Sequence, residues 1–267
     1  MPRFAANLSM LFGEVEFLDR FEAASRGGFQ AVEVQFPYDW PAPAIADRLR
    51  RHGLELVLLN LPAGDWAGGE RGIACHPGRE AEFREGLGRA AEYAAALGAR
   101  QVNCLAGIAP AGVSPEVARR TFVANLRQAA TRLGETGLRL NVEAVNTRDV
   151  PGFWLHGTAQ AAGVLDEVGA PNLFLQLDAY HARAMGEDLG AALERFLPRI
   201  GHVQIADHPG RHEPGTGETD FASFLGALDR LGYGGWVGCE YRPLGRTEEG
   251  LSWLGPWRKD PAGSGGR

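Results

Sequence analysis

Cysteine is scarce in this chain: three among 267 residues, Cys75, Cys104 and Cys239, an odd number at unrelated spacings. They do not read as a disulfide framework, and the expectation is buried, reduced thiols in a cytoplasmic protein. Long apolar runs are missing, and none approaches the ~20 residues that a membrane span requires. Positive charge is in deficit, with 27 Lys and Arg against 33 Asp and Glu, a net charge of −6. That balance argues against a nucleic-acid surface and for a soluble protein that binds small molecules. A strand pattern starts at once, so no targeting segment is expected. No internal repeat and no second domain is visible. The Gly-rich phosphate turn of a dinucleotide-binding fold is also missing after the first strand, where Asn7-Leu-Ser-Met-Leu-Phe-Gly13 stands instead.

What is present is an alternation. Hydrophobic residues make up 45% of the chain, enough for a large core without any staple. Short apolar runs fit buried strands at 4–8, 31–35, 55–61, 101–105, 138–143, 173–178, 201–206 and 235–240. Helical stretches lie between them; in 80–97 the residues Phe83, Leu87, Ala90, Ala91, Ala94 and Leu97 share one face. Ser114 followed by Pro115 reads as a helix start, and Gly98 after Leu97 as a helix end. Eight strand–helix units in about 250 residues predict an α/β fold, a single (β/α)₈ TIM barrel. Its expected extent is 1–258; the segment 259–267 is poor in apolar side chains and is expected to be disordered. A doubly wound sheet can be written from the same alternation, and the missing phosphate turn speaks against it. Two Gly/Pro-rich segments, 62–78 and 207–218, follow the third and seventh strands. Loops there build the active-site rim of a barrel, which makes both candidate lids.

Glu143 and Glu240 each stand where an apolar run stops, in Leu138-Arg-Leu-Asn-Val-Glu143 and Trp236-Val-Gly-Cys-Glu240. A carboxylate at the end of a buried strand is costly unless it is paired, bound to metal or used in chemistry. Asp178 and Gln204 occupy comparable places between them, and a barrel would bring all four to one mouth. Taken singly, each carboxylate could be an ion pair at a strand end. Together, three carboxylates and an amide oxygen suit a hard divalent ion, Mg²⁺ or Mn²⁺, better than Zn²⁺. A metal that chelates the two oxygens of an α-hydroxy carbonyl would stabilise an enediolate, and Glu143 and Glu240 could act as base and acid on either side. His181, three residues after Asp178, is read as a donor to a substrate oxygen, the alternative being a helix cap. Arg211, in the 207–218 segment, could clamp a substrate carboxylate or lie free at the surface. Asp207 is read as a partner that orients a ligand or Arg211, and His208 and His212 as surface or loop-packing residues. Trp66, Phe153 and Trp154 could wall a pocket.

Several longer stretches carry a resemblance: Asn7–Gly13, Asn60-Leu-Pro-Ala-Gly-Asp-Trp66, Gly69-Glu-Arg-Gly-Ile-Ala-Cys75, Gln204-Ile-Ala-Asp207, Glu213-Pro-Gly-Thr-Gly-Glu218 and Gly235-Trp-Val-Gly-Cys-Glu-Tyr241. With these the chain resembles the hydroxypyruvate isomerases, a group within the xylose-isomerase-like TIM barrels, from about residue 2 to 258. The resemblance implies interconversion of hydroxypyruvate and tartronate semialdehyde, with a divalent metal and a place in carbohydrate and glyoxylate metabolism. It implies Glu143 and Glu240 as the acid/base pair, and Glu143, Asp178, Gln204 and Glu240 as metal ligands. The 2-oxo-tetronate isomerases share nearly all these motifs, so substrate length stays open. Ketose 3-epimerases usually carry His where Gln204 stands and lack the 60–75 motif. A nuclease on the same barrel would need more His ligands and a basic face. A sugar-binding barrel without catalysis would gain little from two buried glutamates. The expected partner is a small hydroxy-carbonyl acid, with no nucleic acid and no membrane. Barrels of this kind often pair as homo-oligomers, and no sequence feature marks an interface.

Overall fold

In the computed structural model, which describes residues 1–257, eight parallel strands close on themselves in chain order. They are β1 (Arg3–Asn7), β2 (Ala31–Val34), β3 (Glu55–Asn60), β4 (Gln101–Cys104), β5 (Arg139–Glu143), β6 (Leu173–Asp178), β7 (Ile200–Ile205) and β8 (Trp236–Cys239). Around them run α1 (Arg20–Arg26), α2 (Ala42–His52), α3 (Glu80–Leu97), α4 (Pro115–Gly134), α5 (Thr158–Val168), α6 (Ala179–Ala184), α7 (Leu189–Phe196) and α8 (Phe221–Arg230). This is the (β/α)₈ barrel expected from the alternation, and its closure excludes the doubly wound sheet. The limit expected at residue 258 and the tail 259–267 lie outside the described residues.

Local chemistry sets the element ends. The Ser114 side chain accepts the Val117 N–H at 3.3 Å, capping α4, whose first residue is Pro115. Helix α3 covers the predicted 80–97 and ends on Gly98 at φ 72°, a left-handed conformation that a Cβ would penalise.

Each strand has two different faces because side chains alternate. Leu140 and Val142, like Val203 and Ile205, point outward into the main apolar core beneath the helices. Their neighbours Asn141, Glu143, His202 and Gln204 are equally buried and are linked across the barrel interior by amides, Gln101 bridging Asn141 and His202 and Gln176 bridging Glu143 and Gln204. A small separate apolar cluster of Ala5, Ala31, Val57 and Leu58 fills part of that interior, with Trp236 against it. Branched apolar layers ordinarily fill such barrels; here amides and acids take much of that space.

Two strand glycines make room for them. A Cβ on Gly238 would lie 2.3 Å from Glu33 Oε2, and one on Gly201 would lie 2.3 Å from Asn141 Oδ1. The interior is therefore shaped around polar side chains.

Candidate active site

Strand register brings the expected residues level. Glu143 pairs with Gln176 across β5 and β6, Asp178 with Gln204 across β6 and β7, and Gln204 with Gly238 across β7 and β8. Glu240 is the residue that follows β8. Glu143, Asp178, Gln204 and Glu240 are all buried at the C-terminal mouth of the barrel. A cavity of about 900 Å³ opens there, and Glu143, His181, Arg211 and Glu240 line it.

Each acid is held by amides. Glu143 Oε2 accepts from Asn103 Nδ2 at 2.8 Å and Gln176 Nε2 at 3.0 Å. Glu240 Oε2 accepts from Gln204 Nε2 at 2.6 Å and Asn7 Nδ2 at 3.0 Å. Glu240 Oε1 accepts from Arg211 Nη2 at 2.6 Å. Asp178 Oδ1 accepts the Tyr180 N–H at 2.7 Å, whereas its buried Oδ2 has no hydrogen-bond partner. Such an orphaned carboxylate oxygen is costly and calls for a cation or a proton.

The electrostatics agree. Burial pushes Glu143 well above the ordinary carboxylate range, and the charges of Glu240 and Asp178 push it further. Burial also lifts Glu240 to about 8, against the opposing pull of Arg211. Asp178 is raised by burial in the same way. One guanidinium does not balance three acids.

His181 sits between two of them, its Nε2 3.8 Å from Glu143 Oε1 and 3.6 Å from Asp178 Oδ2. Glu143, Asp178 and His181 are therefore close enough to hold a metal ion together. The other side of the ring decides its role. Nδ1 faces the Asn146 side-chain Nδ2 at 2.7 Å and the Asn146 backbone N–H at 3.4 Å. The Asn146 amide cannot turn over without loss, since its Oδ1 accepts the backbone N–H groups of Arg148 and Asp149. Nδ1 is thus an acceptor, the proton sits on Nε2, and that N–H points at the acids. Burial, followed by the charge of Arg211, holds the ring pKa well below its usual value. The arrangement makes His181 a neutral donor rather than a ligand, with no lone pair left on Nε2 for a metal.

Arg211 is engaged by the protein itself. Its Nη2 also lies 3.9 Å from Asp178 Oδ2, and its guanidinium stands over the Tyr180 ring at 5.1 Å. Its backbone has a left-handed φ of 61° and is fixed by the loop around Asp207. The Asp207 carboxylate accepts backbone N–H bonds from His208, Gly215, Gly217 and Thr219 at 2.8–3.0 Å. Asp207 therefore sets the course of the loop that delivers Arg211. His208 lies against the Tyr180 ring, and His212 Nδ1 is 2.7 Å from the Arg242 carbonyl oxygen. Trp66 and Phe153 line the cavity. Trp154 does not; it packs against Phe122 of α4, since it points to the helix layer.

Sequence reasoning passed over Asn7, Glu33, Asn103, Asn146, Gln176 and His202. Glu33 and His202 form a buried pair, His202 Nε2 lying 2.6 Å from Glu33 Oε2. Glu33 Oε1 accepts from both Asn7 and Gln204, each at 2.8 Å, and so connects to Glu240. A signal was present: Gln101/Asn103, Asn141/Glu143, Gln176/Asp178 and His202/Gln204 are polar pairs two residues apart in four successive strands, the spacing of one strand face.

A closed barrel whose mouth gathers buried acids, the guanidinium of Arg211 and a neutral histidine has the make-up of a barrel enzyme's active site. The sequence model of the xylose isomerase-like TIM barrel family matches residues 21–257, and the chain belongs to that family. It is 50% identical over 258 residues to hydroxypyruvate isomerase of Escherichia coli strain K12, covering 97% of this chain and 100% of that one. It is 46% identical over 257 residues to 2-oxo-tetronate isomerase of Cupriavidus necator, covering 96% and 99%. A crystal structure described as an AP endonuclease, family 2, from Brucella melitensis superposes with a TM-score of 0.94 at 46% identity, covering 97% of this chain and 100% of that one. With these relatives, the chain is an isomerase of its family, of the aldose–ketose type. No helix among the described residues is long and apolar enough to cross a membrane.

Proposed function

We propose that this enzyme interconverts hydroxypyruvate and tartronate semialdehyde, using Glu143 and Glu240 as its acid and base. The observation that carries the reading is the pair of buried glutamates at one mouth, both raised by burial above the ordinary carboxylate range, Glu240 to about 8. In the forward direction one deprotonated glutamate takes a proton from the CH₂OH carbon, and the electron pair moves into the adjacent C–C bond to give an enediolate. A proton returned to the former carbonyl carbon, with the hydroxyl proton passing between the two oxygens, gives the aldehyde. No oxidant or water is consumed. The Nε2–H of His181 is placed to donate to an oxygen that gains charge in the enediolate. Arg211 holds Glu240 in one rotamer and lowers the repulsion among the acids.

Glu143, Asp178, Gln204 and Glu240 would hold a divalent ion, Mg²⁺ or Mn²⁺. The orphaned Asp178 Oδ2 and the three acids short of positive charge fit that role. Gln204 here turns its NH₂ to Glu33 and Glu240 and its oxygen to Gln176 at 2.6 Å, so joining the set would require its amide to turn over at the cost of all three bonds. Such an ion supplies positive charge that favours the enediolate.

The 46% identity to a 2-oxo-tetronate isomerase supports a second reading, the same proton transfer on a four-carbon acid. Three buried, unpaired cysteines favour a reducing, cytoplasmic setting. The test offers metal-loaded enzyme hydroxypyruvate, 2-oxo-tetronate and a neutral ketose in deuterated water. Deuterium uptake with aldehyde formation from the acids is expected; epimerisation of the ketose alone would replace this reading by that of an epimerase. Glu143→Gln and Glu240→Gln should each lower kcat by ~10² or more, the usual scale of a positioned acid or base. Near-normal turnover in both would sink the assignment.

A further inference from the structure

We propose that Arg71, on the rim loop between β3 and α3, binds the carboxylate of the substrate and sets the preference for acids over neutral sugars. This rests on reading the substrate as a hydroxy-carbonyl acid. Arg211, the arginine nearest the reacting groups, has its guanidinium committed to Glu240. Arg71 lines the same cavity, and among the described residues no carboxylate lies within ion-pairing reach of it.

Its position is built. The guanidinium stands 4.2 Å over the Trp66 ring, and Nη1 donates to the carbonyl oxygens of Trp66 at 3.1 Å and Glu70 at 2.7 Å. Both of those bonds use one nitrogen, so Nε and Nη2 keep their N–H groups for a ligand, the geometry of a two-point carboxylate contact. The loop itself is pinned. Glu70 accepts the Asp65 N–H and pairs with Arg79. Gly72 donates to the Ala63 carbonyl at 3.0 Å and lies so close to Leu105 that a Cβ there would meet its oxygen at 2.4 Å. Arg242 also lines the cavity, but its exposed side chain has no such support. A preordered arginine over an aromatic ring loses little freedom when an anion arrives.

The experiment measures binding by calorimetry and turnover kinetics together, on the metal-loaded protein and its Arg71→Ala and Arg71→Lys variants. The ligands are hydroxypyruvate and erythrulose, a neutral ketose. For Arg71→Ala, Kd and KM for hydroxypyruvate should rise about 10- to 100-fold, the scale of a lost charge-assisted contact, with a much smaller fall in kcat. The ratio of acid to ketose affinity should fall by a similar factor, and Lys should recover part of it as a point charge without the fork. Unchanged hydroxypyruvate affinity, or equal weakening of both ligands, would overturn the proposal. Hydroxypyruvate binding by the wild type without turnover would instead sink the functional reading and leave the arginine assignment standing.

Discussion

A single missing methyl group at Gly238 lets an acid live inside the barrel. The Glu33 carboxylate fills the space where a Cβ would sit, with both oxygens within 2.5 Å of that point. It is the hub between His202, Asn7 and Gln204, and through the last two it steadies Glu240. Gly238→Ala should therefore act like overpacking against a rigid neighbour, costing about 1–3 kcal/mol. It should also displace Glu33 and lower kcat. Urea unfolding checks the first effect and steady-state kinetics the second. A variant of wild-type stability and activity would mean that Glu33 has another place to go. Residues of this kind also show what the sequence discloses. Glu143 and Glu240 stood out because each closes an apolar run. Glu33 did not, since it lies inside a run and its partners are 26, 169 and 171 residues away.

At the scale of elements, the strands and helices were legible because periodicity and caps are local. Segment 80–97 became α3 with its Gly98 cap, and Ser114 capped α4. The rim was harder. Candidate lids were recognised at 62–78 and 207–218 from their glycines and prolines, but not what fastens them. In the second, Asp207 takes four backbone N–H groups, so the loop is tied down by one side chain. The tautomer of His181 depends on Asn146, which is 35 residues away in sequence, and the bond from Arg211 to Glu240 spans 29. Such contacts follow from barrel closure and have no local signature. Asp207→Ala would leave four part-buried N–H groups without their acceptor, at ~1–3 kcal/mol each at most, with water recovering part of it at the exposed Gly215 and Gly217. The expected result is a lower unfolding midpoint, faster proteolysis within 207–218 and reduced kcat as Arg211 leaves Glu240. Intact protease resistance with normal kcat would show that the loop holds its course without the aspartate.

For the whole molecule, the acids at the mouth oppose folding until something neutralises them. Glu240 has a folded pKa of about 8, against about 4.3 for an unfolded glutamate. Between those values the folded chain holds a proton that the unfolded chain has released, so stability falls as pH rises. Glu143 and Asp178, also raised, have the same sign. His181 has the opposite sign: its folded pKa is lowered, and its contribution is complete once pH exceeds about 7. The window in which the acids dominate is therefore about pH 7 to 8, below the range where the three buried cysteines, whose thiols burial pushes up, add the same sign. Metal-free protein should lose thermal stability across it. A divalent ion binds the deprotonated acids, so Mn²⁺ at one fixed concentration, ~100 times its Kd at the upper end of the window, should add about 2.7 kcal/mol there, or roughly 5–10 °C in Tm. That gain should be larger at the upper end of the window than at the lower, because fewer protons remain to be displaced. Scanning calorimetry with chelator or with Mn²⁺ at both ends measures all four states. Metal-free stability that rises with pH, or a Tm gain equal at both ends, would show that the acids at the mouth do not carry the protons assigned to them.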